Sequence, residues 1–368
     1  MTAKPVAAVT KVLAAMSGGV DSSAACKVLL DAGYEVAGAT MRLYANEDIM
    51  LEKSRTCCSL NDVEDARYAA FRLGIDFHVF NFAPEFKEHV IERFVKTYER
   101  GATPNPCVDC NRQLKFGKFL ERARLLGFDA IATGHYAVRE FNEATGRWRL
   151  RRSPDRAKDQ SYVLYAMTQE QLSRTMFPVG MLEKSRTREI AAASNLVTAD
   201  KPDSQDICFI PDGDYADFIL RYTGEAPESG VVRLTNGTAV GTHRGLLCYT
   251  IGQRRGLGIS YSEPLYVVDK DAAANTLIVG RESELYTTEL VAEDVNFIDF
   301  DALTQPVRVT AQTRYHQQDT PAILYPAENG CVRVVFDQPK RAVTAGQAVV
   351  FYDGDYVVGG GTIADRHS

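Results

Sequence analysis

The stretch Ala15-Met16-Ser17-Gly18-Gly19-Val20-Asp21-Ser22-Ser23 constrains this chain more than any other. Residues 9–16 before it are mostly apolar and of strand length. Residues 23–32 after it carry apolar side chains at helical spacing and are closed by Gly33 in the C′ position. The glycines therefore lie on a strand-to-helix turn, where they permit φ > 0 and close approach of the backbone to a ligand. Freed amides, the Ser17, Ser22 and Ser23 hydroxyls and the positive end of the helix converge on one point, which suits an anion such as pyrophosphate. The Walker pattern requires a Gly-Lys-Ser/Thr ending, and this loop has no lysine. Its absence predicts a nucleotide cleaved between its α and β phosphates, with Asp21 as the Mg²⁺ ligand.

A chain of 368 residues suggests two or three domains, and 45% hydrophobic with 24% charged residues is an ordinary globular composition. No apolar run reaches the roughly 18 residues of a membrane span. Met1-Thr2-Ala3-Lys4-Pro5 lacks the apolar core of a signal peptide. The expectation is a cytoplasmic protein with no membrane partner. A net charge of −6 gives no global support for nucleic-acid binding, so an RNA partner would need local basic patches.

The first third alternates strand patterns (11–16, 34–41, 76–80, 129–133) with helical ones (61–73, 84–100, 112–126), the helices closed by Gly74, Gly101 and Gly127. Asn61 is placed to N-cap the first of these helices, with Glu64 completing a capping box. Such alternation predicts an α/β fold with a doubly wound parallel sheet, whose ligands bind at the carboxyl ends of the strands. The glycine loop, Met41 and Gly134-His135 all fall at such ends. Residues 136–153 read as a hairpin carrying the only tryptophan and Arg147, Arg149, Arg151 and Arg152, either a solvated strand or a ribbon facing nucleic acid. Helical patterns return between 160 and 196, and a short helix around 215–222 ends at Gly224. From 283 onward many short alternating strands predict a small β-barrel. The expected division is 1–215, 216–282 and 283–368.

Eight cysteines in a cytosolic chain are more readily buried, catalytic or metal-binding than structural disulfides. Cys26, Cys248 and Cys331 read as core residues, and Cys57-Cys58 as a loop pair of no evident chemistry. Cys107 and Cys110 sit in a proline-fixed loop leading into a helix, where a thiol gains thiolate character. Such a pair is redox-active, a zinc half-site or part of an iron–sulfur site, and Cys208 is the remaining cysteine in a polar loop.

The string Ser-Gly-Gly-Val-Asp-Ser-Ser resembles the PP-loop of the N-type ATP pyrophosphatases, which activate a carbonyl oxygen by adenylation. Further strings narrow the resemblance: Thr103-Pro104-Asn105-Pro106, Cys110-Asn111, Leu114-Lys115-Phe116-Gly117, Ala132-Thr133-Gly134-His135-Tyr136-Ala137, Lys158-Asp159-Gln160-Ser161-Tyr162, Asp206-Ile207-Cys208-Phe209, Gly252-Gln253-Arg254-Arg255-Gly256-Leu257-Gly258, Thr344-Ala345-Gly346-Gln347 and Phe351-Tyr352-Asp353-Gly354. Together, in order and along essentially the whole chain, they resemble the tRNA-specific 2-thiouridylases.

That resemblance implies a PP-loop domain, a small central tRNA-binding domain and a C-terminal β-barrel. It implies ATP-dependent replacement of the C2 oxygen of the wobble uridine by sulfur in the tRNAs for Lys, Glu and Gln, with release of AMP and pyrophosphate. ATP would be held by Ala15, Met16, Ser17, Gly18, Gly19, Val20, Asp21 and Ser22, with Met41 and Gly134 on the adenosine side. Asn105, Pro106 and Cys107 match the stretch beside the target base, and His135, Lys158, Asp159, Gln160, Arg314, Tyr315 and Gln347 match tRNA-contacting positions. Cys110 and Cys208 match the pair that handles sulfur, through a persulfide on Cys208 or a disulfide with Cys110. The sulfur would come from a carrier protein or a cysteine desulfurase. Many members carry Asp where this chain has Cys107. Three thiols, Cys107, Cys110 and Cys208, then resemble the ligand set of a 4Fe-4S cluster in related thiolases, so cluster-bound sulfide and persulfide both stand as routes. A GMP- or NAD-synthetase-like ligase and a non-catalytic RNA-binding iron–sulfur sensor are the alternatives.

Overall fold

The computed structural model describes residues 10–44, 60–196, 198, 201, 207–210 and 213–365. The Cys57-Cys58 pair and Asp206 lie outside them.

β1 (Lys11–Ala15) is buried along nearly its whole length, as a central parallel strand must be. It pairs in parallel with β2 (Glu35–Arg42), and β2 in turn with β3 (Phe77–Asn81). On its other side lies β4 (Ala130–Ala132). After the hairpin of β5 (Ala137–Asn142) and β6 (Arg147–Arg152), β7 (Thr175–Met176) adds to β4, giving the order β3-β2-β1-β4-β7. The chain winds outward from β1 through α1 (Val20–Asp31) and α2 (Leu60–Leu73), then returns to the opposite side of β1. The topological switch therefore falls between β1 and β4. Gly33, Gly74, Gly101 and Gly127 end their helices at φ between +68° and +85°. Asn61 lies inside α2, which begins at Leu60, rather than capping it.

The next helices run Ala83–Phe86, Lys87–Ile91 and Glu92–Glu99, then Pro106–Cys110, Asn111–Lys118 and Phe119–Leu125, with the middle segment of each wound as π-helix. Phe86 and Phe94 meet Phe209 edge-on at 5.6 and 5.3 Å, and Phe218 joins Phe209 at 5.2 Å. Four buried aromatic rings thus pin residues 207–210, and with them Cys208, to this helical layer.

Helix Tyr215–Thr223 ends at Gly224 in the left-handed region and opens a four-stranded sheet of Gly230–Leu234, Ala239–His243, Tyr266–Asp271 and Thr276–Gly280. The last part is a closed six-stranded barrel, because Tyr286–Phe297 pairs with both Val332–Arg341 and Tyr356–Ile363. Leu290, Val309, Leu324, Val334, Val349 and Phe351 fill it.

The arginine-rich hairpin is not a ribbon facing nucleic acid. β6 pairs with the barrel strand Tyr356–Ile363, and its arginines are spent on barrel carboxylates. Arg147 reaches Asp301 at 2.6 Å, Arg149 grips Asp299 with two bonds of 2.9 and 2.7 Å, and Arg152 reaches Asp319 at 2.8 Å. Arg151 turns to Glu140 on the neighbouring strand at 2.9 Å. Arg149 and Arg152 also lie over the Tyr356 and Tyr352 rings at 3.7 and 3.6 Å. Four like charges in six residues are tolerable because each has its own partner. Cys26 is fully buried as expected, whereas Cys248 and Cys331 are only half-buried.

Candidate active site

The glycine loop leaves the carboxyl end of β1 and enters α1. Gly18 takes φ +72°, and a Cβ there would lie 2.3 Å from the Asp62 carbonyl oxygen, so no other residue fits this turn. Gly19 is the N-cap of α1 and offers no side chain, and its carbonyl accepts the Ser22 and Ser23 hydroxyls at 3.0 Å each. The Ser17 amide donates to the Ser22 hydroxyl at 3.2 Å. Ala15, Met16, Val20 and Ser22 are buried supports, while Ser17 is exposed at the lip. Thr40 binds the Met16 carbonyl at 2.7 Å, which ties Met41 on β2 to the same crevice. Gly134, following β4, packs so tightly on α1 that a Cβ would meet the Asp21 carbonyl carbon and the Ser22 amide at 2.7 Å. The loop, Met41 and Gly134 are thus brought together at the switch point.

Lysines that the local sequence lacks arrive from elsewhere. Lys184, at the start of helix Lys184–Ala193 and 163 residues beyond Asp21, donates to both Asp21 oxygens at 2.7 Å. The Tyr136 hydroxyl donates to Asp21 at 2.7 Å and stands 3.0 Å from Thr187 Oγ1. Lys201 contacts the Gly18 carbonyl at 3.1 Å, Asp62, and Asp65 at 2.9 Å. Two ammonium groups therefore flank the turn. A Mg²⁺ ion at Asp21 would displace Lys184 and leave it facing the phosphates. Nothing in the spacing of Lys184 or Lys201 signals this role; it exists only after the sheet is wound.

The cysteines sit on a different mount. Asn105 caps helix Pro106–Cys110, with Pro106 at its first turn. Cys107 is exposed, Cys110 is buried and Cys208 is half-buried. The Cys208 carbonyl accepts the Tyr44 hydroxyl at 2.7 Å. Among the described residues no group of three or more His, Cys, Asp or Glu side chains is arranged to hold a metal ion. Cys107 faces solvent, Cys110 turns into the core three residues later, and Cys208 rides on the separately anchored segment 207–210. Asp109, between the two helix cysteines, is pushed up to about 6 by burial, against the pull of Arg93 at 3.3 Å.

His135 is buried between Phe116 and Phe177, its Nδ1 2.8 Å from the Thr133 hydroxyl, and burial beside Lys115 holds it neutral, well below the usual imidazole range. Asp159 accepts the Ser153 amide at 2.8 Å and the Ser161 hydroxyl at 2.7 Å, which organises the loop from Lys158 onward. Gln160 accepts the Tyr136 amide at 3.0 Å. The Tyr315 hydroxyl donates to the Asp159 carbonyl at 3.0 Å, and Tyr315 lies near enough to Cys107 to feel its charge. Arg314 is held at the barrel rim by the Ala342 carbonyl and the Thr344 hydroxyl at 3.2 and 3.1 Å. Gln347 donates to the Thr103 and Pro104 carbonyls at 3.0 Å each. Of the residues matched to tRNA contacts, Tyr315 and Asp159 are joined to each other, and Gln347 is joined to the loop before the cysteine helix.

A parallel sheet with a glycine cradle and imported lysines at its switch point defines a nucleotide-binding domain of the HUP class. Residues 10–212 match the family described as tRNA methyl transferase HUP domain, 216–281 the tRNA methyl transferase PRC-barrel domain, and 287–363 the aminomethyltransferase beta-barrel domain. Among curated relatives, the tRNA-specific 2-thiouridylase MnmA of Clostridioides difficile is 48% identical over 96% of this chain and 98% of its own. That of Symbiobacterium thermophilum is 50% identical over 98% and 93%, and that of Acetivibrio thermocellus 49% over 96% and 99%. The chain belongs to the tRNA-specific 2-thiouridylase family. Neither the ligase nor the sensor alternative finds support in these relatives. Among the described residues no helix is long and apolar enough to cross a membrane.

Proposed function

We propose that this chain is an adenylating tRNA-uridine 2-sulfurtransferase acting on the wobble uridine of the tRNAs for Lys, Glu and Gln. The observation that carries the reading is the pairing of two mounts in one domain: a phosphate cradle flanked by Lys184 and Lys201, and the cysteine helix Pro106–Cys110 beside the Cys208 segment.

A uracil carbonyl is a poor electrophile with a poor leaving group. The uridine C2 oxygen attacks the α-phosphorus of ATP, the α–β bridge breaks, and pyrophosphate departs into the Gly18-Gly19 cradle. Donors already aimed at the departing charge stabilise it without reorganising. Bound Mg²⁺, held at Asp21, would neutralise part of that charge, with Lys184 and Lys201 supplying more. The outer sulfur of a Cys208 persulfide then adds to C2, and AMP leaves with the oxygen. Cys110 as thiolate attacks the inner sulfur, forming a Cys110–Cys208 disulfide and releasing 2-thiouridine; an external thiol returns two electrons to reset the pair. The target base must leave its stack to reach the site, at a cost of a few kcal/mol. The persulfide donor is a carrier protein or a cysteine desulfurase. A sulfide held on a cluster by Cys107, Cys110 and Cys208 would be the second route to the same product, and no step here runs through it.

The test is incubation with ATP, Mg²⁺, a persulfide donor and each of the three tRNAs, with nucleotide products separated and thiolated tRNA retarded on a mercury gel. AMP, pyrophosphate and retarded tRNA are expected. ADP with phosphate would refute adenylation, and nucleotide release without retardation would refute the sulfur step.

A further inference from the structure

The loop that delivers the cysteine helix is held from outside its own domain. The Thr103 amide donates to the Ala345 carbonyl at 2.9 Å, and the Gln347 amide donates to the Thr103 and Pro104 carbonyls at 3.0 Å each. A primary amide has two N–H donors, so both are engaged. Gly346 makes the approach feasible: at φ +82°, its Cβ position lies 2.9 Å from the Thr103 carbonyl oxygen and 3.1 Å from Ala102 and Thr97. The other end of this contact is rigid. Gly346 N donates to the Ile363 carbonyl and Ile363 N to the Gln347 carbonyl, both at 2.8 Å, and Gln347 leads directly into barrel strand Ala348–Asp353. A cavity of about 250 Å³ beside this contact is lined by Pro104, Asn105, Val108, Ala345 and Gly346 among others. The hydrogen bonds from Thr103 and Gln347 tie its two walls together. Asn105 is the N-cap of the cysteine helix, so whatever fixes Pro104 fixes the helix start.

We infer that Gln347 is a positioning residue for sulfur transfer, acting through Thr103 and Pro104 to set the start of the helix that carries Cys107 and Cys110. Its amide cannot donate to RNA without letting go of that loop. The inference rests on the sulfurtransferase reading for its functional consequence, but the clamp has a chemical readout of its own. In the full chain after reduction, Gln347→Leu removes both donors at similar volume. Losing two hydrogen bonds raises the rate of Cys110 alkylation by iodoacetamide about tenfold and slows single-turnover thiolation by a similar factor. The Kd values for tRNA and ATP stay within about twofold, below the loss of one hydrogen bond. Should Gln347→Leu fail to fold, Gln347→Asn, which withdraws the amide by one methylene, reads the same rates. Weaker tRNA binding with unchanged Cys110 alkylation would overturn the inference and make Gln347 a direct RNA contact. Absence of thiolation by the unsubstituted chain would instead refute the activity, while the alkylation comparison still decides the clamp.

Discussion

Lys270 offers a test of the central domain in which the magnitude follows from the structure. A bulge between Val267 and Asp269 in strand Tyr266–Asp271 turns Lys270 inward opposite the buried Leu277, leaving it 5% exposed. Among the described residues its Nζ has no hydrogen-bond partner. Burial pushes its pKa down from 10.5 to about 8, partly offset by Cys248. At ~1.4 kcal/mol per unit, holding the ammonium inside costs on the order of 3 kcal/mol below pH 8. The native state releases its proton near pH 8 and the unfolded chain only near 10.5, so the penalty is complete below pH 8 and relieved as the pH rises toward 10.5. Lys270→Met keeps the stem and removes the charge. In urea unfolding followed by circular dichroism, the variant is expected to be more stable at pH 7 by roughly 1–3 kcal/mol, with the advantage shrinking to near zero by pH 10. A variant less stable at pH 7, or a difference that ignores pH, would refute the account of Lys270 as an uncompensated buried cation.

Lys184→Met should weaken ATP binding by about tenfold or more while leaving AMP binding nearly unchanged, because Mg²⁺ at Asp21 would release the ammonium toward the β and γ phosphates, and one charge-assisted bond is worth roughly 1.5–3 kcal/mol; calorimetric Kd values for the two nucleotides check it. Arg149→Ala strands Asp299 at the hairpin–barrel junction and should cost about 2 kcal/mol or more in denaturant stability. Arg254 and Arg255 are exposed, so their joint replacement by Ala should flatten the salt dependence of tRNA affinity by roughly one to two units of log–log slope. Arg151→Ala should leave that slope unchanged.

The sheet was legible because its signals are local. Apolar strand runs, helical periodicity and the four closing glycines each report on a few neighbouring residues, and the winding rule for parallel strands places the cradle at a strand end. The Pro106–Cys110 helix was less so: residues 103–111 read as a loop leading into a helix at Arg112, because Pro104 and Pro106 signal a turn, whereas Pro106 serves as the first helical residue. The arginine hairpin was not legible. Arg147–Arg152 looks alike in sequence whether it faces phosphates or the carboxylates of a neighbouring domain, and Asp299, Asp301 and Asp319 lie 150 to 167 residues away. Lys184 and Lys201 were missed for a related reason: the loop truly lacks a lysine, and the fold replaces it from segments that no spacing rule connects to Gly18. Three cysteines can be counted in a sequence, but that Cys110 turns inward while Cys107 faces out depends on what the helix packs against.

The hairpin's arginines and the Gln347 clamp answer one geometric demand. A thiol and an activated carbonyl react efficiently only when held within about 3–3.5 Å and aligned. The adenylating cradle stands on β1 and α1, whereas the cysteine helix starts from a loop beside a cavity. A loop of this kind would sample more positions than the chemistry tolerates. Gln347 fixes it to the barrel, and the Tyr315–Asp159 bond adds a second tie between barrel and catalytic domain. The barrel can serve as a ruler only if it is itself fixed to that domain, and the strand pairing of β6 with Tyr356–Ile363, reinforced by Arg149–Asp299 and Arg152–Asp319, does this. Charges that resemble an RNA-binding surface in the sequence thus join the hairpin to the barrel. Weakening the junction should slow sulfur transfer well before it affects cleavage of ATP.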